Sequence, residues 1–226
     1  MNVWTRGASS PHDDEDLPMT PPAGGRFDLI ETIAFDPIDG MPLLEHHLVR
    51  LKRSSAALGF AFDRHAARNE LQAATFRLRR KARVRMLVSH GGALAIEVRD
   101  HRTWPEAIMK LKAVPRPAPP DDWRLYHKTT DRRIYRDALE RGGTYEVLMV
   151  DQAGYLTEGC FSTIFVERGD KLMTPPLSRG LLPGVLRESL IGCGEAVEGD
   201  LRPLDLERGF FIGNAARGMV AAQLIY

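Results

Sequence analysis

The sequence predicts an α+β protein of two lobes, a small N-terminal α/β lobe and a larger β-rich C-terminal lobe. Leu44, Leu48, Leu51 and Leu58 fall at helical spacing ahead of Gly59, a residue suited to stopping a helix. The apolar-rich runs Val84–His90 and Ala93–Asp100 flank Gly91-Gly92, the dipeptide a tight hairpin turn prefers. The stretch Pro115-Arg116-Pro117-Ala118-Pro119-Pro120 suits neither a helix nor a central strand and reads as a crossing between lobes. A chain of 226 residues buries about three quarters of its unfolded surface, enough for one large domain or two small ones.

Taken in order, residues 1–25 mix Ser, Pro, Gly and acidic residues without periodicity and are expected to form a mobile leader. FDLIETIAF, from Phe27, has strand-like apolar content, and Asp36-Pro37-Ile38-Asp39-Gly40 supplies a turn into the leucine-periodic helix. A second helix is predicted from Asp63, an N-cap, to about Lys81, with Ala67, Leu71, Ala74 and Leu78 on one stripe. The basic run Arg77–Arg83 then reads as the solvent face of its end. After the hairpin, a strand over Ile108–Val114 completes an N-terminal domain of residues 26–114, followed by a linker over 115–122. The C-terminal domain, 123–226, carries predicted strands at Tyr145–Asp151, Phe161–Glu167, Lys171–Pro175 and Phe210–Ile212. One helix is expected between Pro183-Gly184 and Gly192-Cys193-Gly194, and no solenoid-length repeat is visible.

Composition narrows the function. With 43% hydrophobic and 27% charged residues the chain is an ordinary globular one, and 31 Lys+Arg against 30 Asp+Glu gives no net field to steer nucleic acid or an anionic membrane. No apolar run is long enough for a transmembrane helix, and no signal-peptide core is visible. Cys160 and Cys193 are too few for a disulfide framework, so a cytoplasmic setting is expected. The sequence lacks a phosphate-binding G-x-x-x-x-G-K-[ST] loop, a G-x-G-x-x-G turn, H-E-x-x-H and G-x-S-x-G. Adjacent helical residues point in different directions, so His46-His47 reads as solvated or partly packed, and no metal site is expected.

The informative residues are Lys128, in LYHKTTDR, and Glu158, in LTEG. The chain uses 25 Arg but only six Lys, so a lysine among these polar residues is not needed for charge alone. Its amine can form a Schiff base, which arginine cannot. Pyridoxal phosphate chemistry also needs a carboxylate to keep the pyridine nitrogen protonated, a place Glu158 could fill. It needs a phosphate cradle too, for which the Gly184-Val185-Leu186 helix start and a cation such as Arg50 are available. An exposed lysine and a strand-end glutamate are the plain alternative.

Thr32 in FDLIETIAF, HHLVRLKRSSAALGF, HKTTDR, GYLTEGCFSTIFV, TPPLSRGLLPGVLRESL and FIGNAARGM occur in the order seen in class IV, fold-type IV pyridoxal phosphate enzymes, and the chain resembles that family from about Phe27 onward. Its motifs are most similar to those of 4-amino-4-deoxychorismate lyases, which also carry HKTT, LLPGVLR and an N-x-x-RG ending. The resemblance implies a two-lobed fold-type IV enzyme, a homodimer with a cofactor-binding C-terminal domain. It implies that Lys128 is the Schiff-base lysine, Glu158 the partner of the pyridine nitrogen and Arg50 a phosphate ligand. Val185 and Leu186 would bind phosphate through backbone N–H, with Asn214 and Ala215 closing the cup. Thr32 and Arg217 are the expected substrate contacts, Arg217 having a structural role as its alternative. Two departures are visible. The strand pair the family usually has before FDLIET is replaced by the unpatterned leader, and Cys160-Phe161-Ser162-Thr163 stands where a typical aminotransferase has Glu-Asn, which argues against a branched-chain specialist.

The implied reaction converts 4-amino-4-deoxychorismate to 4-aminobenzoate and pyruvate, a folate-pathway step on a small-molecule substrate. An aminotransferase of the branched-chain or D-amino-acid type would share the lysine, glutamate and phosphate cup. A cofactor-free lobe that binds a synthase subunit is the alternative of another class.

Overall fold

The computed structural model describes residues 26–226; the expected leader, 1–25, lies outside them. The first lobe runs β1 (Leu29–Phe35), α1 (Leu44–Leu58), α2 (Arg64–Thr75), β2 (Ala82–Val88) and β3 (Leu94–Asp100), with the strands forming an antiparallel sheet in the order β1-β2-β3. Period two in the strands and the leucine stripe of α1 meet in one core. Leu29, Ile33, Val84, Met86 and Val88 pack against Leu48, Leu51, Leu58, Ala67 and Leu71. Burying each such leucine contributes about 1.5–3 kcal/mol. Alternation turns Thr32 and its cross-strand partner Arg85, with Ala34 and its partner Arg83, to the other face. Gly59 ends α1 at φ 72°.

Asp63 caps α2 by accepting from the N–H groups of His65 and Ala66 at 2.8 and 3.0 Å. The helix stops at Thr75 and not near Lys81, and the basic run is no helix face: residues 77–81 turn the chain, and Ala82 and Arg83 open β2. The pattern Ala82, Val84, Met86, Val88, all buried, has a period of two and outweighs the helical stripe that ended on Leu78.

The second lobe comprises β4 (Ile108–Pro115), α3 (Arg133–Gly142), β5 (Val147–Val150), β6 (Leu156–Gly159), β7 (Thr163–Arg168), β8 (Lys171–Thr174), α4 (Val185–Gly192), β9 (Ala196–Glu198), β10 (Phe210–Asn214) and β11 (Gly218–Leu224). Its eight-stranded mixed sheet has the order β6-β5-β4-β11-β10-β7-β8-β9. The strand assigned to the N-terminal domain at Ile108–Val114 is thus a central strand of the larger sheet, parallel to both β11 and β5. The passage between sheets falls in residues 101–107, ahead of the Pro-rich stretch. Local composition marks that stretch, but the partner of β4 lies more than a hundred residues on, where no local signal reaches. Beyond the prolines the chain returns to the first lobe: Trp123 joins its core, and residues 128–130 run along β1 before α3 begins. Helix α3 has its own signal, Ile134, Tyr135 and Ala138 buried on one side ahead of Gly143 at φ 66°.

Candidate active site

The lobes meet at a cleft of about 210 Å³. One wall is the returning segment. The Ile30 N–H donates to the Lys128 carbonyl and the Thr130 N–H to the Asp28 carbonyl, both at 2.9 Å, and the Asp28 N–H donates to the Thr130 hydroxyl. His127 Nδ1 lies 3.0 Å from the Ser54 hydroxyl on α1. These ties hold the Lys128 backbone at the junction, with its side chain on the cleft wall.

Glu158, at the end of β6, is buried on the same wall. Tyr135 on α3 donates its hydroxyl proton to Glu158 Oε1 at 2.9 Å. The Arg132 guanidinium lies 3.6 Å from the centre of the Tyr135 ring and donates to the Cys160 carbonyl. Burial pushes the Glu158 carboxyl up to about 7, against the pull of Tyr135 and Arg132. Burial, with the nearby cations Arg132 and Arg50, lowers the Lys128 amine to about 7. A lysine near 7 is substantially a neutral amine at physiological pH, able to act as nucleophile and base. The Cys160 thiol is driven far upward by burial, so it supplies no thiolate there.

Every site residue expected from the sequence lines this cleft: Lys128, Glu158, Arg50, Val185, Leu186, Asn214, Ala215, Thr32 and Arg217. Asn214 contributes differently from its neighbours. Its Oδ1 accepts from the N–H groups of Ala216 and Arg217 at 3.0 Å each, and its Nδ2 donates to the Phe161 carbonyl at 2.9 Å. That side chain is spent on shaping the turn, and what the 214–215 stretch offers the cleft is backbone.

The structure adds a buried cluster behind the site. Glu31 takes two bonds from Arg50, at 2.8 and 2.6 Å, and one contact with His47 Nδ1 at 2.6 Å. Burial raises the Glu31 carboxyl, but Arg50 and His47 outweigh it and hold it at about 2. His47 is therefore neither solvated nor loosely packed: it is buried and anchored. Glu31 stands beside Thr32 in FDLIETIAF, and the signal for it is a lone carboxylate in an apolar strand, which needs a cation partner to be buried at all.

Comparison with known proteins adds the family. Residues 28–225 match the family described as Amino-transferase class IV. The chain belongs to that family. A Schizosaccharomyces pombe protein named "Putative aminodeoxychorismate lyase" is 28% identical over 179 residues, covering 76% of each chain. The crystal structure of a Mesorhizobium loti protein titled "Putative amino-acid aminotransferase" is 31% identical, with TM-score 0.81, covering 88% of this chain and 100% of that one. A Mycobacterium tuberculosis structure titled "A hypothetical aminotransferase", in its PLP-bound form, shares the fold at TM-score 0.74 and 22% identity, covering 87% and 81% of the two chains.

Class IV enzymes depend on pyridoxal phosphate, and the cleft of this class IV chain fits that group on its own residues. Arg50 commits Nε and Nη2 to Glu31 and Nη1 to the Pro183 carbonyl at 3.0 Å, which leaves further guanidinium N–H groups for a phosphate. His47 Nε2, also on the cleft wall, is buried without a hydrogen-bond partner among the described residues. Among the described residues no side chain caps α4, which leaves the Val185 and Leu186 N–H groups at its start open. Gly213 lets β10 approach this helix, since a Cβ there would meet Leu186 Cδ2 at 2.9 Å.

A third buried carboxyl, Glu146, shapes the loop after Glu158 in this class IV site. It accepts from the N–H groups of Val147, Cys160 and Phe161 at 2.9, 2.7 and 3.0 Å and from the Ser162 hydroxyl at 2.8 Å. Gly159 makes room, because a Cβ there would lie 2.5 Å from Ser162 Oγ. Glu146→Gln replaces one acceptor oxygen by an NH₂ that faces donors. It is expected to cost about 2–4 kcal/mol and to lower Tm by roughly 5–15 °C, read by thermal unfolding. An unchanged Tm would show that the loop does not depend on this carboxyl.

Proposed function

We propose that the chain is a lyase that converts 4-amino-4-deoxychorismate to 4-aminobenzoate and pyruvate. The observation that carries this reading is a guanidinium lining the lysine–glutamate cleft that no carboxylate among the described residues pairs with. Arg217 donates to the Tyr145 hydroxyl at 2.8 Å and is ringed by Trp104, Phe161 and Tyr145, 5.1, 5.3 and 5.7 Å from the ring centres. A substrate with two carboxylates besides its reacting amine rewards such a fixed fork, whereas a branched-chain amino acid brings only its α-carboxylate. The likeness to the S. pombe protein points the same way.

Arg50, the Val185 and Leu186 N–H groups and the backbone at Ala215 would hold the cofactor phosphate, and Glu158 would hold the proton on its pyridine nitrogen. When bound, the cofactor supplies an electron sink next to the substrate amine. Lys128 takes the proton from the ring carbon bearing the nitrogen. The electrons of that carbon–hydrogen bond end in the ring as the carbon–oxygen bond to the enolpyruvyl group breaks, and the ring becomes aromatic. Lys128 returns its proton to the methylene carbon of the departing enolate, which completes pyruvate. Atoms and electrons balance within one molecule, and no second substrate enters. Thr32, on the cleft-facing side of β1, contacts the substrate.

The likeness to the M. loti chain favours a second reading, amino-group transfer on the same scaffold. Stoichiometry separates the two. Cofactor-loaded protein given 4-amino-4-deoxychorismate alone is expected to turn over many times, releasing one pyruvate per 4-aminobenzoate. A reaction that stops after one equivalent of an amino acid and restarts with 2-oxoglutarate would establish transfer instead. Absence of 4-aminobenzoate would defeat the lyase reading.

A further inference from the structure

Besides Arg217, one cation in the cleft is not accounted for by the phosphate corner, by Glu158 or by Lys128. Arg83 lines the same cleft as Lys128 and Arg217. It sits on β2 opposite Ala34, so it shares the face of Thr32. Across its other edge it pairs with Arg99 on β3. Among the described residues its guanidinium makes no hydrogen bond and no ion pair. Glu158 is the one carboxylate on the cleft wall among those residues, and it is already bonded to Tyr135.

The surroundings make Arg83 more conspicuous. Burial and the nearby cations Arg102, Arg217 and Arg99 lower its pKa, and Glu97 opposes them only in part. Guanidinium groups brought together without an acid repel one another, and a bound anion relieves that repulsion. The phosphate corner has its own cation in Arg50 and its own N–H donors in α4, so Arg83 and Arg217 are left for the substrate. Each presents a fork suited to one carboxylate, and Arg217 is held in place by its rings.

We propose that Arg83 is a specificity-determining residue of this cleft, which together with Arg217 selects a substrate carrying two carboxylates by engaging one with each guanidinium. This deepens the lyase reading and rests on it for the identity of the substrate, though not for its charge. The same pair disfavours amino acids with one carboxylate and an apolar side chain, which would leave a partly buried guanidinium unmatched.

Two probes that lack the reacting amine isolate the contact. Chorismate carries both carboxylates; 4-hydroxybenzoate keeps only the one on the ring. Both are titrated calorimetrically into cofactor-loaded protein. If Arg83 engages the second carboxylate, Arg83→Ala weakens chorismate at least about tenfold and changes 4-hydroxybenzoate less than twofold, while Arg83→Lys retains part of the chorismate affinity. If Arg83 instead engages the ring carboxylate, both probes weaken in Arg83→Ala and only chorismate weakens in Arg217→Ala. Arg83→Gln, closer in shape, gives the same readout should the alanine variant fold poorly. Chorismate that fails to bind the unmodified protein, or binds Arg83→Ala as tightly, overturns the proposal. Should the unmodified protein release no 4-aminobenzoate while the Arg83 dependence holds, the lyase reading falls and the dianion site stands. Production of 4-aminobenzoate without that dependence has the opposite consequence.

Discussion

Lys128→Ala is expected to reduce turnover by at least about 1,000-fold and to abolish the pyridoxyl adduct that borohydride is expected to leave on residue 128 of the loaded protein. Lys128→Arg is expected to be equally inactive, because it restores the charge but not an amine that can bond a carbonyl. The loss in Lys128→Ala should not come from unfolding, since the amine is a desolvated group whose burial costs stability. The lowered pKa supplies an independent test. The neutral fraction of an amine at about 7 rises about tenfold from pH 6 to pH 8 and then levels off, whereas an ordinary lysine gains about 100-fold over that interval and keeps rising. The rate at which cofactor-free protein captures pyridoxal phosphate, divided by that of a simple amine in solution, should therefore fall about tenfold from pH 6 to pH 8 and go on falling above it. Capture that tracks the simple amine at every pH, or an adduct on another lysine, would remove Lys128 from the centre of the chemistry.

What the sequence could disclose, and what it could not, divides by the range of the interaction responsible. The helix over Leu44–Leu58, the Gly91-Gly92 hairpin and the capped start at Asp63 are local, and each lies where its residues predict. The end of the second helix is not local. Residues 77–81 are themselves good helix formers, yet β2 takes over at Ala82 because its buried alternation completes a sheet. Strand β4 is the larger case, for its place beside β11 and β5 depends on pairings that no window of sequence contains. The site follows the same rule. Lys128, Glu158 and Arg50 carry recognisable surroundings in sequence, but the reasons Arg50 can be buried are Glu31, nineteen residues before it, and the Pro183 carbonyl, 133 residues after it. Arg83 was hidden for a different reason: inside a basic run it looks like one more solvated charge, and only the face it shares with Thr32 in the sheet turns it toward the cleft.

Glu158→Gln should leave the cofactor bound and lower kcat by about 100- to 1,000-fold. The phosphate corner and Lys128 are untouched by this change, so cofactor affinity should fall by no more than about tenfold. In the proposed role of Glu158 turnover depends on a negative charge beside the pyridine nitrogen, and a charge-assisted bond is worth roughly twice a neutral one. Tyr135→Phe removes the hydroxyl that donates to Glu158 Oε1 and should produce a smaller loss, of about tenfold or less. The charge that serves catalysis is costly to the empty protein, and the sign is open to measurement. Glu158 has its carboxyl raised from 4.5 to about 7 on folding. Between those values the folded state holds a proton that the unfolded chain gives up, so this group's destabilising effect grows as pH rises through that window and is complete above about 7. Cofactor-free Glu158→Gln should therefore gain stability over the unmodified protein as pH rises from 5 to 8, read as a widening difference in Tm, while it loses activity throughout. A difference in Tm that stays constant with pH would show that Glu158 is ionised in the empty site at every pH tested. Near-normal turnover in the same variant would show that its carboxylate is not the partner of the pyridine nitrogen.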